Sequence, residues 1–278
     1  MCYAGHVNDE RHGSASKSAT VHSVVVAVHI LELLADRGRP QRVTDIATHL
    51  GMTKARISRH LSTLAGLGLV AKVPDNSGYR LGSMLFRLAN AASEQYEITN
   101  IASRYMLALR NRIGEALLLA IPAGGDALVV STIGSGKPLT PQISRGERYA
   151  IPASPTAWVV LAFSPGFVRE RVVMHRTDRN AMRDDALDMS TVRAKIDQIR
   201  QRYYEFELDP HDAGFSVLSA PIFDHTEKLE AALTIVMNRR QNDDVYDVRH
   251  LPQLKKTVVE ISSALGSVEM ADKMAATL

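Results

Sequence analysis

A chain of 278 residues, 45% apolar and 23% charged, has room for two domains at roughly 100–200 residues each and is too apolar for bulk disorder. Its longest apolar run, "VVVAVHILELLA" at 24–35, is broken by His29 and Glu32 and is too short to span a bilayer; the first twenty residues lack the apolar stretch of a secretory signal. The net charge of +3 hides a concentration: residues 37–87 hold nine Lys or Arg against Asp45 and Asp75, a net +7 that suits a polyanion partner, whereas residues 101–278 hold 22 basic and 22 acidic residues.

The lone Cys2 excludes an internal disulfide framework and a cysteine metal cluster, and a cytoplasmic protein with no membrane partner is the simplest reading. Residues 1–20, rich in Ser, Ala, His and Gly with no apolar period, read as a disordered tail. A helix follows, with Ser23 as its cap and Val24, Val28, Leu31 and Leu34 on one side; "DRGRPQ" ends it. Thr44 caps a short second helix, "DIATHL", with Asp45 in its first turn, and Gly51 supplies a left-handed stop.

Thr53 then caps a third helix in "GMTKARISRHLSTLAGLGLV" (51–70). At 100° per residue Ile57, Leu61 and Leu64 share a dry side. Ala55, Arg59 and Ser62 fall opposite, flanked by Arg56 and Ser58. Lys54, Arg56, Arg59 and His60 crowd the first half, where the helix dipole disfavours cations by roughly 0.3–1 kcal/mol. A short helix, a turn with glycine and a second helix have the spacing of a helix-turn-helix, whose second helix enters the major groove by its N-terminal residues. Phosphates there offset the dipole term, and Arg can grip guanine bidentately. Ala55 can approach a thymine methyl; Thr44, Thr53, Ser58 and Ser62 are phosphate or base partners; His60 reads as a packed histidine.

Two short strands, "LVAKV" (69–73) and "YRL" (79–81), flank the turn "PDNSG". This hairpin adds Lys72, Asn76, Ser77 and Arg80 as a wing along the DNA. A helix from Ser83 leads out of the basic region. Beyond it, a helix near 98–113 precedes the hairpin "EALLLAIPAGGDALVVSTIGSG". Further strands are expected at 139–143, 148–151, 214–222 and 229–237, and helices at 155–163, 165–174, 189–203 and 248–275. Antiparallel strands among helices make an α+β domain.

Catalytic and metal motifs are missing. "GSGKP" (134–138) fails the phosphate-loop pattern, which needs Gly at 131 and Ser or Thr at 138 where the chain has Ser131 and Pro138. There is no HExxH and no GxSxG; His211 beside Asp212 reads as a loop pair. No cofactor, metal or catalytic residue is assigned. The competing reading is a small-molecule enzyme or sensor whose basic head is only an interaction module.

The sequence resembles the IclR family of bacterial transcriptional regulators. The likeness rests on "VVVAVHILELLA", "VTDIATHLGMTKARISRHLSTLAGLGLV", "NSGYRLG", "ISRGERYAIPASPTAWVVLAF" and "HDAGFSVLSAPIFD", and spans about residues 21–275. It implies a winged helix-turn-helix at 21–82, a linker helix at 83–97, and a GAF-like domain at 98–278 in which helices pack on an antiparallel sheet. It also implies a homodimer or homotetramer, acting as repressor or activator on promoter DNA under the control of a small organic effector, and not an enzyme. Carried over residue by residue, the effector site falls on Ala157 and Trp158, where relatives usually have Gly-Lys, and on Val217, where they often have Cys. Thr234 and Val236 fall at polar positions of a late strand, and Glu207 at a position often acidic or polar. These exchanges make the site less polar than is usual and point to an effector with an apolar or aromatic body, an aromatic acid among the candidates. Trp158 either packs on that effector or fills the cavity itself. In the third helix, Lys54-Ala55-Arg56 replaces a frequent Lys-Ser-Thr, which points to a different operator preference.

Overall fold

In the computed structural model, residues 21–74, 77–95, 97–137, 143–180, 189–208, 214–238 and 248–277 are described. The chain divides into two compact units, residues 1–95 and 96–278.

The first unit is built on three helices, α1 (His22–Arg37), α2 (Val43–His49) and α3 (Lys54–Gly66), and a hairpin of β1 (Val70–Lys72) and β2 (Tyr79–Leu81). Val26, Ile30, Leu33 and Leu34 of α1 meet Ile46 of α2 and Ile57, Leu61 and Leu64 of α3 in one core. Each such side chain contributes roughly 1.5–3 kcal/mol of burial. Two expected caps are displaced. Ser23 lies inside α1, whose N-cap is Val21, and Thr44 lies inside α2, whose N-cap is Arg42; neither N-cap has a side-chain hydrogen bond. In α2 the bridge between Gln41 and Tyr79 fixes where the extended chain turns, so helical geometry begins one residue before Thr44. α4 (Ser83–Gln95) completes the unit.

The second unit is an antiparallel six-stranded sheet, ordered β5-β4-β3-β8-β7-β6. Its strands are β3 (Ala116–Ala123), β4 (Asp126–Ile133), β5 (Arg148–Tyr149), β6 (Glu205–Leu208), β7 (Phe215–Phe223) and β8 (Leu229–Asn238). Side chains alternate between faces. Leu117, Leu119 and Ile121 of β3 pack beneath α5 (Glu97–Ile113) and α9 (Leu251–Ala264). Ala116, Leu118 and Ala120 point to the opposite face, covered by α6 (Pro155–Phe163), α7 (Gly166–Asn180) and α8 (Met189–Arg202). Among the described residues, no helix is long and apolar enough to cross a membrane.

The second unit departs from the sequence expectation at β6, at β5 and in its last helical stretch. β6 is not anticipated by the sequence pattern; the expected strand at 148–151 keeps only two residues; and that at 139–143 lies almost wholly outside the described residues. The long helix expected over 248–275 is two helices, α9 and α10 (Glu269–Ala275). The break is held from a distance by Glu227 in the β7–β8 turn. Its carboxylate accepts from the Ser267 hydroxyl at 2.7 Å and from the backbone N–H groups of Val268, Glu269 and Met270 at 2.8, 3.2 and 3.1 Å. The Ser267 bond, then that of Val268, draws this carboxyl down to about 2 from 4.5. A folded-state value below the ordinary one means the latch contributes stability above pH 4.5 and loses it as pH falls from there toward 2. Glu227→Gln should therefore lower Tm at neutral pH and flatten the acid limb of a Tm-against-pH profile. An unaltered profile would contradict the latch.

Candidate nucleic-acid interface and effector site

α3 begins where the Thr53 hydroxyl accepts the Arg56 N–H at 3.4 Å, the cap expected for it. With Ile57 and Leu61 fully buried and Leu64 4% exposed, rotation about the helix axis is fixed. Lys54, Ala55, Ser58, Arg59 and Ser62 are exposed and Arg56 is half-buried. The face predicted to read DNA is thus the one turned to solvent. Arg56 and Arg59 also border a groove of about 710 Å³ along α3, whose opposite wall is Ser23, Val24 and Ala27 of α1. On α2, Thr44 is half-buried and its hydroxyl donates to Asp45 Oδ1 at 3.2 Å.

On the hairpin, Val70↔Leu81, Ala71↔Arg80 and Lys72↔Tyr79 are paired. Lys72 and Arg80 are exposed, Ser77 is half-buried, and Asn76 lies outside the described residues. Gly78 has φ 140 and lies against the Gln41 backbone, where a Cβ would collide with the Gln41 carbonyl; glycine is required there.

In the second unit, Glu207 pairs with Val217 across β6–β7, Val217 with Val236 across β7–β8, and Ser219 with Thr234 one row along. Phe206 belongs to the opposite core, so Glu207, Val217, Thr234 and Val236 all face α6. Ala157 and Trp158 are fully buried on α6 itself. The six residues expected to form the effector site therefore share one side of the sheet. Their chemistry is uneven. The Thr156 hydroxyl donates to Thr234 at 2.9 Å and Thr234 donates to Ser219 at 2.9 Å, a buried chain whose members partner one another. Trp158 is 1% exposed, donates its Nε1–H to the Pro152 carbonyl at 3.1 Å, and carries the Lys195 ammonium 4.7 Å from its ring centroid.

Glu207 differs from these. Its Oε2 is buried with no hydrogen-bond partner among the described residues. Burial pushes its carboxyl above the ordinary range; nearby Glu205 adds to the shift and Lys195 works against it. Sequence reasoning missed Lys195 and Thr156, because Lys195 meets Trp158 only once α8 is stacked on α6, and Thr156 meets Thr234 only once α6 lies on β8. It also placed no role on Arg200, which donates to the Ala162 carbonyl at 2.9 Å, or on Arg169, which donates to the Ser164 carbonyl; together they satisfy the C-terminal end of α6. Lys137 of "GSGKP" is engaged by Glu115, with Nζ to Oε1 at 2.5 Å. The His211–Asp212 pair lies outside the described residues.

Two family models match: the IclR helix-turn-helix domain over residues 23–74, and the C-terminal domain of bacterial IclR transcriptional regulators over 90–263. The HTH-type transcriptional regulator XynR of Escherichia coli K12 is 24% identical over 248 residues, 88% of this chain and 98% of XynR. Among solved structures, an IclR transcriptional regulator from Alicyclobacillus acidocaldarius superposes with a TM-score of 0.70 at 20% identity, covering 90% of this chain and all of that one. An IclR homologue from Microbacterium hydrocarbonoxydans, solved with 4-hydroxybenzoate, gives 0.68 at 19% identity, covering 87% of this chain and 98% of that one.

Proposed function

The chain belongs to the IclR family of bacterial transcriptional regulators, and on that premise we propose that it reads a promoter with α3 and the wing while a small organic effector, bound between α6 and the sheet, sets its affinity for that DNA. The observation that carries this is α3: a helix locked by Ile57, Leu61 and Leu64, with Lys54, Arg56 and Arg59 on its first two turns and no acidic residue among them. Arg56 and Arg59 take guanine O6 and N7 or adjacent phosphates; Thr53, Ser58 and Ser62 support them, and Ala55 leaves room for close approach.

The protein acts in the cytoplasm as a homo-oligomer, whose paired heads match half-sites about one helical turn apart. α4 is the lever that converts a change in the effector unit into a change in head spacing. The effector shifts the population only by binding one arrangement better than the other. Operator DNA titrated with and without effector tests this directly; equal affinity in both conditions would leave the gating without support.

The effector has an apolar or aromatic body. Val217 and Val236 offer it no polar contact, and the Thr156–Thr234–Ser219 hydroxyls are occupied with one another. Glu207 accepts a donor from the ligand, and Lys195 supplies the cation an acid group needs. The 4-hydroxybenzoate bound to a homologue is a ligand of this kind. Trp158 is the single tryptophan of the chain and reports on the site. Its fluorescence titration should rank aromatic acids above small aliphatic dicarboxylates, and Glu207→Gln should weaken the best ligand by about 1.5–3 kcal/mol, the scale of a hydrogen bond to a charged group. Tighter binding of small dicarboxylates would contradict the proposed chemistry.

A further inference from the structure

A second basic site lies in the first unit, away from α3. The α1–α2 connector is stitched to the wing. Gln41 N–H donates to the Tyr79 carbonyl at 2.9 Å, and Tyr79 N–H returns a bond to the Gln41 carbonyl at 2.8 Å. The Gln41 side chain is 7% exposed and donates to the carbonyls of Arg39 and Pro40 at 3.1 and 3.2 Å. Gly78 closes against the same backbone. The connector is thereby folded tight, with Gln41 inside and its two flanking arginines outside.

Arg39 and Arg42 are both exposed. Neither makes an ion pair or a side-chain hydrogen bond among the described residues, whereas arginines elsewhere in the chain, such as Arg148 and Arg202, are paired with carboxylates. They line a cleft of about 410 Å³ with Pro40, Gln41, Asp45 and Ser77. Asp45, whose Oδ1 accepts from Thr44, shares the cleft without pairing with either arginine among the described residues, so two guanidiniums against one carboxylate leave it net positive and able to take an anion. A guanidinium fork matches phosphate oxygens bidentately. Ser77 brings the cleft to the end of the hairpin that carries the exposed Lys72 and Arg80, so a polyanion lying along the wing would also pass this cleft.

We propose that Arg39 and Arg42 clamp a backbone phosphate of duplex DNA beside the wing, and that connector and wing act as one rigid, sequence-independent contact. The inference rests on the DNA-binding reading but not on α3. It assigns base discrimination to Arg56 and Arg59, and register and salt dependence to Arg39 and Arg42.

The test uses the full chain, wild type and the double variant Arg39→Ala/Arg42→Ala. Each is titrated against operator and random duplexes of equal length across a series of salt concentrations. The clamp requires affinity for both duplexes to fall by a similar factor, leaving their ratio unchanged. The plot of log affinity against log salt should become shallower by about 0.9 for each phosphate that the variant no longer neutralises. Arg39→Lys/Arg42→Lys, which keeps the charge without the fork, should retain most of the wild-type slope and guards against misfolding as the cause. An unchanged slope in the alanine variant, a weakening confined to operator DNA, or the same slope reduction in the lysine variant would each overturn the clamp. Wild-type protein without salt-dependent duplex binding would instead sink the DNA-binding reading itself.

Discussion

Replacing Arg56 and Arg59 together by alanine should abolish operator preference while leaving the fold intact. A bidentate Arg–guanine contact is worth about 1–3 kcal/mol of discrimination, so each single variant should lose at least about 1 kcal/mol of operator affinity, roughly fivefold or more. The double variant loses the sum where the two contacts are independent and less where they share a base step. Thermal unfolding is the control. Neither side chain belongs to the core of Ile57, Leu61 and Leu64, so Tm should move little, as for most surface substitutions. Fluorescence anisotropy on operator and random duplexes measures the effect, and the random-duplex affinity separates base reading from bulk charge. Unchanged operator affinity would mean that α3 is not the reading helix.

The second large effect falls on stability. Trp158 is fully buried in the core on the α6 side of the sheet, with Lys195 of α8 over its ring, and its one polar atom already has a partner in the Pro152 carbonyl. Trp158→Ala leaves a cavity and should destabilise the second unit by about 3–5 kcal/mol. Trp158→Phe keeps an aromatic ring but strands the Pro152 carbonyl, with a cost of about 1–3 kcal/mol. Because Trp158 is the only tryptophan, the transition must be followed by circular dichroism rather than by fluorescence. A loss below about 1 kcal/mol in the alanine variant would contradict the core position. The burial of Trp158, its bond to Pro152 and the Lys195 ammonium over its ring fit a tryptophan that fills space, and in the proposed effector titration its indole would report from beside the proposed site.

What the sequence disclosed and what it withheld divide along physical lines. α3, the wing and the β3–β4 hairpin were legible because each signal is local: a 3.6-residue period with Thr53 before it, or apolar runs around Gly and Asp. β6 was hidden because "EFEL" sets two carboxylates on the face that packs under α6. Glu205 is tolerated there by Arg202, 2.6 Å away, three residues earlier in the chain. The break between α9 and α10 depends on Glu227, some forty residues upstream, and the α2 start depends on a bridge to Tyr79. The candidate effector residues came from family resemblance, and their alternation on β6, β7 and β8 places them on one face. Lys195 required the fold, since only the stacking of α8 on α6 brings it to Trp158; Arg39 and Arg42 are near neighbours in sequence, and the fold adds Ser77 to their cleft.

Sequence-specific reading by α3 is what distinguishes this regulator from a merely basic protein. Its most direct test is a gel-shift series with purified protein, comparing duplex from upstream of its own gene with random duplex of the same length over a range of salt. A preference for the upstream duplex should persist as salt rises, because base contacts survive the screening that weakens phosphate contacts. Equal affinity for both duplexes at every salt concentration would contradict it and would favour a basic head that serves only as an interaction module.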